Sequence, residues 1–162
     1  MGTAHISPTR EEPPLSLPRR ARDTRGSSAV TISRIDHIGI VVDNLVEAAA
    51  FVGSIFGLSE ESRIERSDLR ALFFSCQGVR IELIEVLDPA QRATRLGDDR
   101  ARIEHVALVL DDFEQALDRL RGHGIETTDT RSSQGRRTCW SLPSTTNGVV
   151  YQFVEELPLR EA

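Results

Sequence analysis

Two histidines, a glutamate and a glutamine occupy related places in this chain of 162 residues. His37 and His105 are 68 positions apart, and Glu82 and Gln152 are 70 apart. All four interrupt otherwise apolar, β-branched runs. An ionised group in mid-strand is costly to bury alone, so one shared purpose accounts for the set. Two imidazoles, a carboxylate and an amide oxygen suit a divalent cation and leave positions open for substrate oxygens or water. A lone histidine in an apolar strand is more often a hydrogen-bonded core residue. Two of them, each with a polar partner at the equivalent place, favour a common ligand role. Strand alternation supports the grouping: His37 shares a face with Ile35, Gly39 and Val41, and Glu82 with Arg80 and Ile84. His123, among glycines, reads as a turn, and Asp43, Asp111 and Asp112 read as helix-start residues.

The elements that must position these residues repeat. RIDHIGIVVDNL, from Arg34 to Leu45, matches RIEHVALVLDDF, from Arg102 to Phe113, without a gap. GVRIELIE, from Gly78, matches GVVYQFVE, from Gly148. Each opening run suits a buried strand and ends at a helix start, where Asn44 with Glu47 and Asp112 with Gln115 have capping-box spacing. Leu45, Ala48, Ala49, Val52 and Phe56 form one apolar helix face; Phe113, Ala116, Leu117 and Leu120 form the other. Gly57 and the Gly122–Gly124 stretch stop the helices. Each half then has room for two further strands, such as 71–76 and 137–141. The expected fold is α+β: two tandem β-α-β-β-β modules, residues 33–88 and 102–156, joined by a polar linker, 89–101. Their curved sheets enclose a metal-binding cleft.

Composition narrows the function. Every one of the 20 basic side chains is arginine, which excludes lysine Schiff-base chemistry and the P-loop. A net charge of −5 argues against nucleic acid as a partner. No apolar run approaches the roughly 18 residues of a membrane span, and no signal-peptide core opens the chain. The expectation is a cytoplasmic protein with no membrane partner. Cys76 and Cys139 lie in apolar stretches and are expected to be buried, reduced thiols. Residues 1–30 hold four of the seven prolines and a net charge of +2. With few, aperiodic apolar residues, they read as a disordered tail preceding one domain, 31–162.

The motifs DHIGIVV, IEHVAL, GVRIELIEVLDP and GVVYQFVE, spread over residues 33–155, resemble the vicinal oxygen chelate (glyoxalase/bleomycin resistance/dioxygenase) superfamily, and within it most nearly methylmalonyl-CoA epimerase. The resemblance implies a cleft between paired modules holding a divalent metal (Co, Mn, Zn or Ni), with His37, Glu82, His105 and Gln152 as ligands. It also implies chelation of vicinal substrate oxygens, an enolate-like intermediate, and a homodimer. Two departures matter. Gln152 stands where the epimerase has a metal-bound glutamate that also acts as a base, and an amide cannot accept a proton near neutral pH. Leu142-Pro143-Ser144 replaces a His-Pro-Lys stretch, while Arg136 and Arg137 remain as expected substrate-binding residues for a phosphate or carboxylate.

The function expected first is a metal-dependent epimerase or isomerase acting through an enolate-like intermediate on a small carbonyl or acyl-thioester substrate, with Glu82 as the catalytic base. A glyoxalase-type lyase is an alternative. So is an iron(II) dioxygenase, because His37, His105 and Glu82 alone make two histidines and a carboxylate. A metal-free protein that binds a small molecule or drug is the third reading, and it would have no use for the histidines.

Overall fold

The computed structural model describes residues 29–133 and 135–155. The expected tail therefore lies outside the described residues except for Ala29 and Val30. Those two touch module two: Val30 packs beside Phe113 and Leu110, and Arg119 donates to the Ala29 carbonyl at 2.7 Å.

The first module runs β1 (Ile32–Val42), α1 (Leu45–Phe56), β2 (Glu60–Glu65), β3 (Leu69–Cys76) and β4 (Val79–Val86). The second runs β5 (Ala101–Leu110), α3 (Phe113–Gly122), β6 (Arg131–Ser133), β7 (Arg136–Trp140) and β8 (Val150–Glu155). The strands form one eight-stranded sheet in the order β2-β3-β4-β1-β5-β8-β7-β6. The two opening strands meet at its centre as an antiparallel pair, and each lies parallel to the last strand of its own module. This is the expected α+β architecture, with the two curved sheets fused edge to edge.

The local reasons are those of the sequence. Asn44 accepts from the Val46 and Glu47 amides at 3.1 and 3.2 Å, and Asp112 accepts from the Gln115 amide at 3.0 Å, so each caps its helix. Gly57, at φ 68°, closes α1. Gln77 and Gly78, both at positive φ, make the two-residue turn that a β3–β4 hairpin favours. On the outer face, Leu83, Val42 and Phe74 pack against Leu45 and Val52 of α1. Phe153 and Leu110 pack against Phe113 and Ala116 of α3.

Three expectations need correction. The linker is not merely polar chain: it folds into α2 (Pro89–Arg95), capped by Asp88, and Leu96 behind it is fully buried against Val41, Ile84 and Val86. Phe56 is 58% exposed rather than on the buried face of α1. Cys139 is buried but Cys76 is exposed, because it ends β3 at the turn.

Candidate metal centre

The register of the central strands decides which side chains meet. One row across the sheet runs Glu82, Gly39, His105, Val150. The next runs Arg80, His37, Ala107, Gln152. Each row is the other turned about the seam between β1 and β5. Both histidines thus project from the centre of the concave face, with Glu82 beyond one flank and Gln152 beyond the other.

Two β-bulges refine this arrangement. In β1, Ile35 pairs with Leu108 and His37 with Ala107, which leaves Asp36 as the extra residue. In β5, His105 pairs with Gly39 and Ile103 with Ile40, which leaves Glu104. Bulges re-aim side chains and recur beside active sites. Here each turns an acid toward its neighbouring histidine: Asp36 Oδ2 lies 2.8 Å from His37 Nδ1, and Glu104 Oε2 lies 3.3 Å from His105 Nδ1. The bulge also moves Ile35 off the face of His37, where strict alternation had put it, and leaves it 41% exposed.

Held from behind, the imidazoles point their Nε2 atoms inward. His37 Nε2 and His105 Nε2 are 3.2 Å apart. Glu82 Oε2 lies 3.3 Å from the first and 3.4 Å from the second. All three residues are buried. The ring of His105 lies over Gly39, where an added Cβ would come within 2.1 Å of Cε1. The ring of His37 meets Phe73 edge-on at 5.5 Å.

The donor atoms form a nearly equilateral triangle, so one point lies about 2 Å from all three, the bond length of divalent ions to N and O ligands. The carboxylates on Nδ1 are the partners that metal-bound histidines require. The residues present fit a divalent ion.

The electrostatics agree. Burial pushes the Glu82 carboxyl up, but hydrogen bonds and charge from His105 and His37 outweigh it and hold it down at about 2. Burial alone would lower His105; Glu104 and Glu82 lift it to about 9. His37 is likewise raised, by Asp36 and Glu82 against its burial. The triangle is therefore an ionised carboxylate facing two imidazoles whose hold on a proton is strengthened, so a cation bound there competes with protons.

The acids behind the histidines are themselves anchored. Asp36 accepts from Arg34 at 2.9 Å, from Arg80 and, at 3.4 Å, from Arg136. Glu104 takes a bidentate pair from Arg95 of α2, at 2.6 and 2.7 Å. Both acids were missed in the sequence, although RIDH and RIEH display them side by side, because alternation aims them at the opposite face.

His37, Glu82, His105 and Gln152 line one cavity of about 640 Å³, together with Phe73 and Trp140. Arg136 reaches the cleft from the side of Asp36, lining a smaller space next to His37. Arg137 does not join it. It turns to the outer face, where Glu155 binds it at 2.7 and 3.0 Å and Glu114 binds it as well. Adjacent residues on a strand face opposite sides, so only one of the pair can serve the cleft.

The sequence profile of the Glyoxalase/Bleomycin resistance protein/Dioxygenase superfamily matches residues 36–140. Protein YqjC of Bacillus subtilis (strain 168), itself uncharacterized, is 25% identical over 130 residues, 76% of this chain and 93% of its own. Among solved structures, methylmalonyl-CoA epimerase from Mycobacterium tuberculosis superposes with a TM-score of 0.71 at 23% identity, over 78% of this chain and 90% of that one. A hypothetical protein of Bacillus halodurans C-125, BH1468, does so with a TM-score of 0.69 at 22% identity, over 80% and 98%. Structural likeness at such identities speaks for the fold, and function has to be argued from the site.

Proposed function

The chain belongs to the glyoxalase/bleomycin resistance protein/dioxygenase superfamily, and from that premise we propose that it is a divalent-metal-dependent isomerase or epimerase acting on a small carbonyl or acyl-thioester substrate. The observation that carries this reading is the triangle of His37, Glu82 and His105, with donor atoms 3.2 to 3.4 Å apart and an acid behind each imidazole. The likeness to methylmalonyl-CoA epimerases, one of them solved in complex with methylmalonyl-CoA, supports it.

His37, Glu82 and His105 would hold the ion, and Gln152, lining the same cavity, would offer its amide oxygen from the opposite flank. A bound cobalt, manganese, zinc, nickel or iron(II) ion supplies Lewis acidity to a substrate carbonyl, which acidifies the neighbouring C–H. Glu82 is the base, the carboxylate that faces both imidazoles within the cleft. Asp36 and Glu104 fix Nδ1–H on the two histidines, so neither ring turns during turnover. Phe73 and Trp140 give the cleft an apolar wall. Gln152 cannot take a proton, so Glu82 removes the proton on its own side of the cleft, and inversion at that carbon draws the returning proton from water on the Gln152 side.

The test is solvent-deuterium exchange at the carbon next to a carbonyl, followed by NMR, on protein loaded with each metal. Exchange on a ketone or branched acyl thioester that requires metal and is lost in Glu82→Gln supports the reading. Two histidines and a carboxylate also suit iron(II) oxygen chemistry. Oxygen uptake with iron(II) and a catechol, without exchange of any candidate proton, replaces the isomerase with a dioxygenase.

The same proposal extends to assembly and location. The exposed side of α1 carries Val46, Phe51, Ile55 and Phe56, each more than half exposed, beside an apolar groove of about 510 Å³. Those four side chains offer roughly half of the ~800 Å² that each partner brings to a standard interface. They support a homodimer, which light scattering at micromolar concentration would read. The two free thiols support a reducing, cytoplasmic location.

A further inference from the structure

The cavity in front of the triangle contains more charge than the triangle explains. Arg66 is bound by Asp68 at 2.8 and 2.9 Å, and Arg95 by Glu104 at 2.6 and 2.7 Å. Each is a two-pronged pair that cancels itself. Glu82 belongs to the cation. One charge remains, Arg131 on β6. Among the described residues it is the only guanidinium lining this cavity without a carboxylate partner. Beyond β5, module two contributes Thr128, Arg131, Trp140, Val150 and Gln152 to the lining, with no acid among them. Arg131 is itself exposed, so its guanidinium is open to an anion that enters the cleft.

The two flanks therefore have opposite character. Module one presents an ionised carboxylate, Glu82, and module two presents an amide, Gln152, with an uncompensated guanidinium behind it. We propose that Arg131 is a specificity-determining residue that binds a carboxylate at the end of the substrate remote from the reacting carbonyl. The substrate is then an anionic oxo compound whose acidic carbon lies toward Glu82 and whose distal carboxylate lies over β6 and β7. One guanidinium matches one carboxylate in charge and in its pair of donors. A phosphate dianion would want a second cation, and the two other arginines lining this cavity are committed to Asp68 and Glu104. The inference rests on the reading above, that the substrate oxygen meets a metal held by the triangle.

The experiment uses manganese-loaded full-length protein and two pairs of probes that differ only in the distal group: 2-oxoglutarate against 2-oxopentanoate, and 2-oxoadipate against 2-oxohexanoate. Isothermal titration gives each affinity. For at least one chain length the dicarboxylate should bind about tenfold or more tightly than its partner. Arg131→Gln should bring that ratio close to one without changing affinity for manganese or for the monocarboxylates, and Arg131→Lys should keep part of it. Equal binding of both members at both lengths in the wild type overturns the inference alone. So does a ratio that survives Arg131→Gln. Failure of all four probes to bind the manganese-loaded protein likewise overturns the inference alone, whereas failure of manganese to bind overturns the metal reading and this inference with it.

Discussion

Module one and module two lay the same backbone on either side of the β1–β5 seam and furnish it differently. Glu82 faces Gln152 across the centre, Gly39 corresponds to Ala107, and Asp36 corresponds to Glu104. The outer helices diverge as well. The exposed positions of α1 include Val46, Phe51 and Ile55, and 68 residues later the same places hold Glu114, Arg119 and His123. Backbone symmetry thus sets where the candidate ligands sit, and side-chain asymmetry gives the two flanks different chemical character.

The largest effect is expected from exchanging the flanks. Glu82→Gln should cost at least about 10²-fold in the rate of deuterium exchange, the usual scale for loss of a general base, and should weaken metal binding. Gln152→Glu should tighten metal binding by adding a negative charge beside the cation. The double exchange, Glu82→Gln with Gln152→Glu, restores the ligand set in mirror order. Metal content should recover to wild type while the exchange rate stays depressed, because the rest of the cleft has not turned with it. Full recovery of rate would show that the cleft has no direction.

Next comes the seam itself. Gly39→Ala would drive a methyl into the ring of His105, so the ring must leave the triangle, and metal affinity should fall by about tenfold or more. Ala107→Gly, the equivalent position in module two, should leave affinity unchanged, since His37 already tolerates a Cβ there. Metal titration of both variants sharpens the contrast, and equal losses would break it.

The bulged acids should differ less. Asp36→Asn and Glu104→Gln should each lower metal affinity by about 10- to 100-fold, as loss of a histidine's carboxylate partner does. The loss at Asp36 should be the larger, because its contact is 2.8 Å against 3.3 Å.

The smallest effect is a pH dependence. His105 is raised to about 9 in the folded protein, above its ordinary value of about 6.5. Its contribution to the stability of the metal-free protein is fully present below pH 6.5 and lost as pH rises through about 9. Thermal melts of metal-free protein should therefore show falling stability across that window. Metal affinity should rise across it, as the proton leaves the ligand. Glu104→Gln should shift the window downward, toward pH 6.5.

Much of this was legible in the chain. The gapless match of the opening strands locates both modules, and period-two alternation correctly sends His37, Gly39, Val41 and Glu82 to one face. It fails at Asp36 and Glu104, because a bulge inserts one residue and alternation has no means of registering it. Arg137 illustrates another limit. A basic pair on one strand looks like one feature in sequence, yet its members reach opposite faces of the sheet. Nor does linear order reveal that Arg95, in the linker, buttresses Glu104.

The strands that meet at the centre of the sheet are the two sequence-equivalent ones, paired antiparallel. A pairing of that kind is self-complementary: a single module could satisfy the same edge against an identical copy of itself. The segment carrying α2 makes the association intramolecular and replaces a bulk concentration with an effective one, which for short tethers reaches about the millimolar range. Tethering also frees the halves from being identical. Two separate copies would have to carry the same residue at positions 82 and 152, and their shared cleft would accept a ligand equally in either orientation. One continuous chain can mutate the halves independently, and so give a symmetric cradle a front and a back.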